Sequence, residues 1–260
     1  MNLLMITRKL DPADTLAGFT VRWVQALAAR VEHLDVICQE QGVWTPPANV
    51  RVFSLGKESG AGKLQQLWRF IRFCRRVTRE TDGVFCHQNP IYTILVAPWA
   101  KLRRRRIVAW YTHKSVNLKL RLMHRLANIV LTASVESFRL PSEKVRGGGH
   151  GIDTDAFVPA KEISPERASG RRFRVIAVGR LSPVKRYEVP IAALAVMASE
   201  EREGVTFTII GDPGLAEHGS YRDKLRRLAR DRGVEAAVQF LGGIPHAGIV
   251  RSYQEADALV

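Results

Sequence analysis

Residues 174–188 read Arg-Val-Ile-Ala-Val-Gly-Arg-Leu-Ser-Pro-Val-Lys-Arg-Tyr-Glu. The run Val175-Ile176-Ala177-Val178 is apolar and mostly β-branched, which suits a strand buried on both faces of a parallel sheet. Gly179 ends that strand. Arg180 and Lys185 then flank Leu181-Ser182-Pro183-Val184, and a helical pattern begins near Tyr187. Two cations therefore stand on the loop leaving the carboxyl end of a strand, the edge at which open α/β sheets bind ligands. Such a pair suits a phosphate or diphosphate, the guanidinium as a planar fork and the ammonium as a point charge. Two solvated surface charges are the plainer alternative.

Outward from this stretch, strand and helix patterns alternate in both directions, the signature of βαβ units and parallel sheets. The chain is expected to be α/β with two Rossmann-like parallel-sheet domains, 1–158 and 173–260, the second incomplete. The polar stretch 159–172, with Pro165 and Gly170, is expected to be the linker between them. Asn2 to Thr7 reads as the first strand and Arg8 to Gly18 as a polar loop. Phe19, Trp23, Leu27 and Val31 mark a helix face. No GxGxxG follows the first strand, so the dinucleotide fingerprint is absent. Gly18, just before a helix, either lets a phosphate approach the helix start or only punctuates the loop. His87 and His113 each follow a strand at its carboxyl end, and they would share one cleft if those strands are neighbours. No third ligand stands at metal-binding spacing, so no metal site is expected.

Leu64, Leu67, Trp68, Ile71 and Val77 are expected to line a helix whose polar face is Arg69, Arg72, Arg75, Arg76 and Arg79. With Arg103–Arg106 these cations contribute to a net charge of +15. That charge suits an anionic membrane surface or a solvated face. Neither basic run is interleaved with aromatic residues for base stacking, so specific nucleic-acid binding is not expected. Cys38, Cys74 and Cys86 are dispersed, which points to reduced thiols and a cytoplasmic location, with attachment at the inner membrane face as an added possibility. No signal peptide or apolar run of membrane-spanning length is seen.

Gly179-Arg180-Leu181-Ser182-Pro183-Val184-Lys185 resembles the signature of the family 4 (group 1) retaining glycosyltransferases, which have the GT-B fold. Phe207-Thr208-Ile209-Ile210-Gly211-Asp212, Val238-Gln239-Phe240-Leu241-Gly242 and Tyr253-Gln254-Glu255-Ala256-Asp257-Ala258 resemble later family segments in the same order. Gly149-His150-Gly151-Ile152-Asp153 resembles the segment before the crossover between domains. There are departures. Arg186 stands where the family often has Gly, and Gly211-Asp212-Pro213-Gly214 varies the usual glycine-rich turn.

The resemblance implies an acceptor-side first domain and a nucleotide-sugar-binding second domain. It implies transfer of a sugar from a nucleotide diphosphate sugar to a hydroxyl acceptor (a glycan, a lipid-linked sugar or a small molecule), with retention, without a metal and without a further cofactor. It assigns His113 as the functional histidine lining the sugar subsite. Arg180, Lys185 and Gly18 would lie at the donor phosphates and His87 near the acceptor. The family's paired glutamates would follow Val260, so the chain is expected to be truncated before them, and its own activity is left open. The alternative is a non-catalytic basic protein of the same fold, acting on anionic lipid or polymer.

Overall fold

The computed structural model describes residues 1–14, 17–140, 142–160, 172–213 and 219–260. It divides into two compact units, Met1–Gly151 and Ile152–Val260. Residues 161–171 of the expected linker, and Gly214, lie outside the described residues.

The first unit is a seven-stranded sheet in the order β3-β2-β1-β4-β5-β6-β7. Its strands are β1 (Asn2–Leu10), β2 (His33–Gln41), β3 (Val50–Ser54), β4 (Gly83–His87), β5 (Arg106–Trp110), β6 (Ile129–Thr132) and β7 (Val145–Gly147). All neighbouring pairs are parallel. The helices are α1 (Phe19–Ala28), α2 (Lys63–Val77), α3 (Pro90–Leu102) and α4 (Leu118–Leu126). Successive residues of a strand face opposite ways, and β1 shows it. Leu4 and Ile6 pack with Phe70 and Cys74 of α2 and Val96 of α3. Met5 packs with Val24 of α1. Both faces are covered, so the centre of the strand is a continuous apolar run.

Two expectations for this unit are corrected. β1 runs on through Arg8 and Lys9 to Leu10, because Lys9 and Leu10 stay in register with Glu40 and Gln41 of β2. The Lys9 ammonium meets Asp14 and Glu40 at 2.7 Å each and Asp11 at 3.3 Å, which offsets the cost of placing it inside the unit. The buried side of α2 is Phe70, Cys74 and Val77. Leu64, Leu67, Trp68 and Ile71, expected to line it, are exposed.

The second unit is a four-stranded parallel sheet in the order β10-β9-β8-β11. Its strands are β8 (Phe173–Val178), β9 (Val205–Ile210), β10 (Val238–Gly242) and β11 (Ala258–Leu259). Val175 and Ala177, Phe207 and Ile209, and Val238 and Phe240 face one way. They pack under the helices Glu188–Val196 and Gly219–Asp231 through Ile191, Leu194, Tyr221 and Leu225. The alternate residues Ile176, Thr206, Thr208 and Gln239 face the other way and line an open groove beside the helix His246–Glu255. The helical pattern that begins near Tyr187 forms the helix Glu188–Val196, and a second helix, Ser199–Glu203, follows it.

Candidate active site

In the first unit the carboxyl edge of the sheet is built at the ends of β1, β4 and β5. After β1 the chain turns at Asp11, whose carboxylate accepts from the Ala13 amide at 3.0 Å. Asp14 accepts from the Ala17 amide at 2.7 Å and so holds the approach to α1. Lys9 ties both carboxylates back to β2. The hydrogen bonds it donates to Asp14 and Glu40 hold its ammonium protonated well above the usual lysine range. Gly18 is required by this turn, since a β-carbon there would lie 2.7 Å from the Asp14 carbonyl and 3.0 Å from that of Pro12. Its amide donates to the Asp14 carbonyl at 2.9 Å. The packing of the loop therefore accounts for this glycine by itself.

β4 and β5 are neighbours, with His87 opposite Trp110. His87 is only 1% exposed. Its Nδ1 lies 3.0 Å from Thr7 Oγ1 of β1, and Nε2 has no partner among the described residues. The ring packs against Trp23 at 5.0 Å and Phe19 at 6.0 Å between centroids. Burial lowers its pKa to about 4, so the imidazole is neutral at physiological pH. His113, three residues beyond β5, is exposed, with its ring edge-on to Tyr111 at 5.5 Å. The two histidines thus share a sheet edge, but one is sealed under aromatic rings and the other faces water. His150, from the glycine-rich segment, stands edge-on to Trp110 at 6.3 Å. No motif marks Thr7 or Lys9, whose parts depend on strand register, and Trp23 reads in the sequence only as one residue of a helix face.

In the second unit, glycines end three neighbouring strands and are stitched together by their backbones. The Gly179 amide donates to the Ile210 carbonyl at 2.9 Å, Leu181 to Asp212 at 3.0 Å and Gly211 to Gly242 at 2.8 Å. A β-carbon on Gly211 would fall 2.0 Å from the Gly179 carbonyl oxygen, so no side chain fits there. Gly242 has φ 72°. Three of the segments picked out in the sequence therefore meet at one carboxyl edge.

Leu181, 1% exposed, anchors the loop in the core, and the short 3₁₀ turn Pro183–Lys185 follows. Arg180 and Lys185 are exposed on either side of that anchor. Among the described residues neither has an ion-pair partner. The Lys185 stem arches back over Gly179, whose β-carbon, if present, would sit 3.3 Å from Lys185 Cε and 3.7 Å from Nζ. Two unpaired cations on one anchored loop, beside closely packed backbone, can take up an anion with several oxygens. Among the described residues no group of three or more His, Cys, Asp or Glu is placed to hold a metal ion. Cys38 and Cys86 are buried, and burial raises both thiols to about 12, so neither is a nucleophile at neutral pH.

Residues 160–260 match the family model of glycosyl transferases group 1. A D-inositol 3-phosphate glycosyltransferase of Corynebacterium aurimucosum is 35% identical over 114 residues, 41% of this chain and 27% of that protein. A GDP-mannose-dependent alpha-(1-6)-phosphatidylinositol monomannoside mannosyltransferase of Mycobacterium tuberculosis is 33% identical over 98 residues, 36% of this chain and 24% of that protein. The match thus spans about a quarter of the length of these curated relatives. Among solved structures, Anabaena HepE in complex with UDP and glucose has a TM-score of 0.70 at 19% identity, covering 100% of this chain and 73% of that one. WaaG, a glycosyltransferase involved in lipopolysaccharide biosynthesis, has a TM-score of 0.61 at 16% identity, covering 99% and 74%. At such identities the structural likeness establishes the fold alone.

Proposed function

We propose that this chain, which carries the group 1 glycosyl transferase pattern over residues 160–260 on a GT-B fold, serves sugar transfer. The sugar passes from a nucleoside diphosphate to a hydroxyl acceptor, with retention at the anomeric carbon and without a metal ion. The observation that carries this reading is the pair of unpaired cations, Arg180 and Lys185, held on the glycine-stitched edge of the second sheet. As the sugar leaves, negative charge gathers on the diphosphate. A guanidinium fork and an ammonium aimed at it stabilise that charge without reorganising during the reaction. His113, exposed beyond β5, lines the sugar subsite in this reading. Gly18 is a donor-phosphate residue in this reading, as the family resemblance implies. His87, neutral and enclosed, forms part of the wall on the acceptor side. The relatives differ in their nucleotide, since one name specifies GDP-mannose and one solved neighbour holds UDP.

The test is transfer by the whole protein from UDP-, GDP- and ADP-sugars. Arg180→Ala and Lys185→Ala should each lower turnover about 100 to 1000-fold, the usual loss on removing one charge-stabilising donor. The product anomer read by proton NMR should match the donor's, and turnover should survive a chelator. Near wild-type turnover in both variants rules out the clamp. An acceptor anchored in an anionic membrane suits a chain of net charge +15. The second reading, a non-catalytic basic binding protein, is favoured by the outward arginines of α2. It predicts binding to anionic surfaces with no turnover of any donor.

A further inference from the structure

Helix α2 buries Phe70, Cys74 and Val77. Its opposite face carries Leu64, 84% exposed, Trp68, 60% exposed, and Ile71, 38% exposed. In the second half of the helix the same face carries exposed Arg72, Arg75 and Arg76, and Arg79 follows just beyond the helix end. Large apolar side chains held in water on a stable helix forgo the stabilisation of burial. The second basic run, Arg103–Arg106, joins this surface at the end of α3. The Arg103 guanidinium donates to the Arg75 carbonyl at 3.4 Å, and the Arg75 guanidinium stands 5.7 Å over the Trp99 ring. Leu102, 74% exposed, lies at the same end. Two runs that are separate in sequence therefore form one patch, apolar at the start of α2 and cationic, with Leu102 among the arginines, at the other end. Among the described residues none of Arg72, Arg75, Arg79 and Arg104 is ion-paired.

We infer that this patch is a docking surface for an anionic lipid bilayer. Leu64, Trp68 and Ile71 enter the boundary between headgroups and acyl chains, and the arginines lie on lipid phosphates. The apolar half decides the occupant. A polyanion in water would engage the arginines but leave Leu64, Ile71 and Leu102 solvated. The Trp68 ring is already faced by the Arg72 guanidinium at 5.5 Å and is not a free platform for a base. Two copies of so basic a face repel one another. The inference does not depend on the sugar-transfer reading and stands or falls without a donor present.

The experiment is co-sedimentation of the purified whole chain with vesicles of phosphatidylcholine, with and without phosphatidylglycerol, at low and high salt. Binding should require the anionic lipid and weaken with salt. Each cation at the surface contributes about fivefold, so the triple variant Arg72→Gln, Arg76→Gln, Arg79→Gln should lose roughly a hundredfold. The double variant Leu64→Ala, Trp68→Ala should lower vesicle binding at least as much at high salt as at low salt, while leaving binding to inorganic polyphosphate unchanged. Trp68 emission should shift to the blue on vesicles, and Trp68→Phe should abolish that shift. These side chains face water, so unchanged circular dichroism melting is expected and separates lost docking from lost folding. Vesicle binding unaffected by the apolar double variant overturns the proposal, as does binding to duplex RNA or polyphosphate that matches vesicle binding in strength. Either result makes the patch a polyanion site.

Discussion

Arg186 sits in the left-handed region, with φ 53° and ψ 41°, at the end of the Pro183–Lys185 turn. That conformation costs a residue with a β-carbon about 1–2 kcal/mol, and the arginine's ion pair with Glu188, at 4.0 Å on an exposed side chain, offsets little. The departure from the family pattern noticed in the sequence thus falls where the backbone favours glycine. Arg186→Gly should stabilise the second unit by about 0.5–1 kcal/mol once the looser unfolded chain is counted, read as a rise in its urea midpoint. His87 makes a different prediction. Its pKa falls from 6.5 in the unfolded chain to about 4 in the fold, because burial disfavours the charged ring. The unfolded state then binds the extra proton between those values, so stability is full above the unfolded pKa and is lost as pH falls toward the folded one. The loss by the lower limit is about 3 kcal/mol. His124 is shifted the same way, by burial first and by Lys144 second. Denaturant titrations at neutral and mildly acid pH, before carboxylates protonate, should show a slope for the native chain that His87→Gln reduces. An unchanged slope would place the effect elsewhere.

At the scale of elements, the glycine-stitched edge positions the two cations, and Gly211 is its tightest point. Gly211→Ala puts a methyl group onto the Gly179 carbonyl. It should destabilise the second unit by about 3 kcal/mol, through overpacking and backbone strain together, and weaken anion binding by displacing Arg180. A folded variant that binds as the parent does would show that the loop tolerates the shift. The elements themselves were largely legible. β8 follows from its apolar run, and β9 and β10 lie in segments that the family resemblance picks out. The misread elements have physical reasons. β1 passed for ending at Thr7 because Arg8 and Lys9 are charged, and only the register with Glu40 reveals the partners of Lys9. In α2, the spacing of Leu64, Trp68 and Ile71 is as regular as that of Phe70, Cys74 and Val77. Apolar periodicity therefore offered two faces, and the structure buries the second. β7 was absent from the expectation because its three residues end in Gly147, in a glycine-rich run that reads as loop.

At the scale of the whole molecule, the charge of +15 gathers meaning from where it sits. One share stands on the outer face of α2 and the end of α3, and another stands at the second sheet's carboxyl edge, without an ion-pair partner among the described residues. Among the described residues no helix is long and apolar enough to cross a membrane. Composition announced an anionic partner, but it could not divide the cations between a surface and a ligand, because that depends on which strands and helices lie side by side. The most direct measurement is calorimetric titration of the whole protein with UDP and GDP, beside Arg180→Ala and Lys185→Ala variants shown to be folded by circular dichroism. One of the two diphosphates should bind. Each substitution should weaken it by tenfold or more, in keeping with about 1.5–3 kcal/mol for a charge-assisted hydrogen bond, while any binding of the bare nucleoside is unchanged. Diphosphate binding of equal strength in the parent and both variants would contradict the clamp.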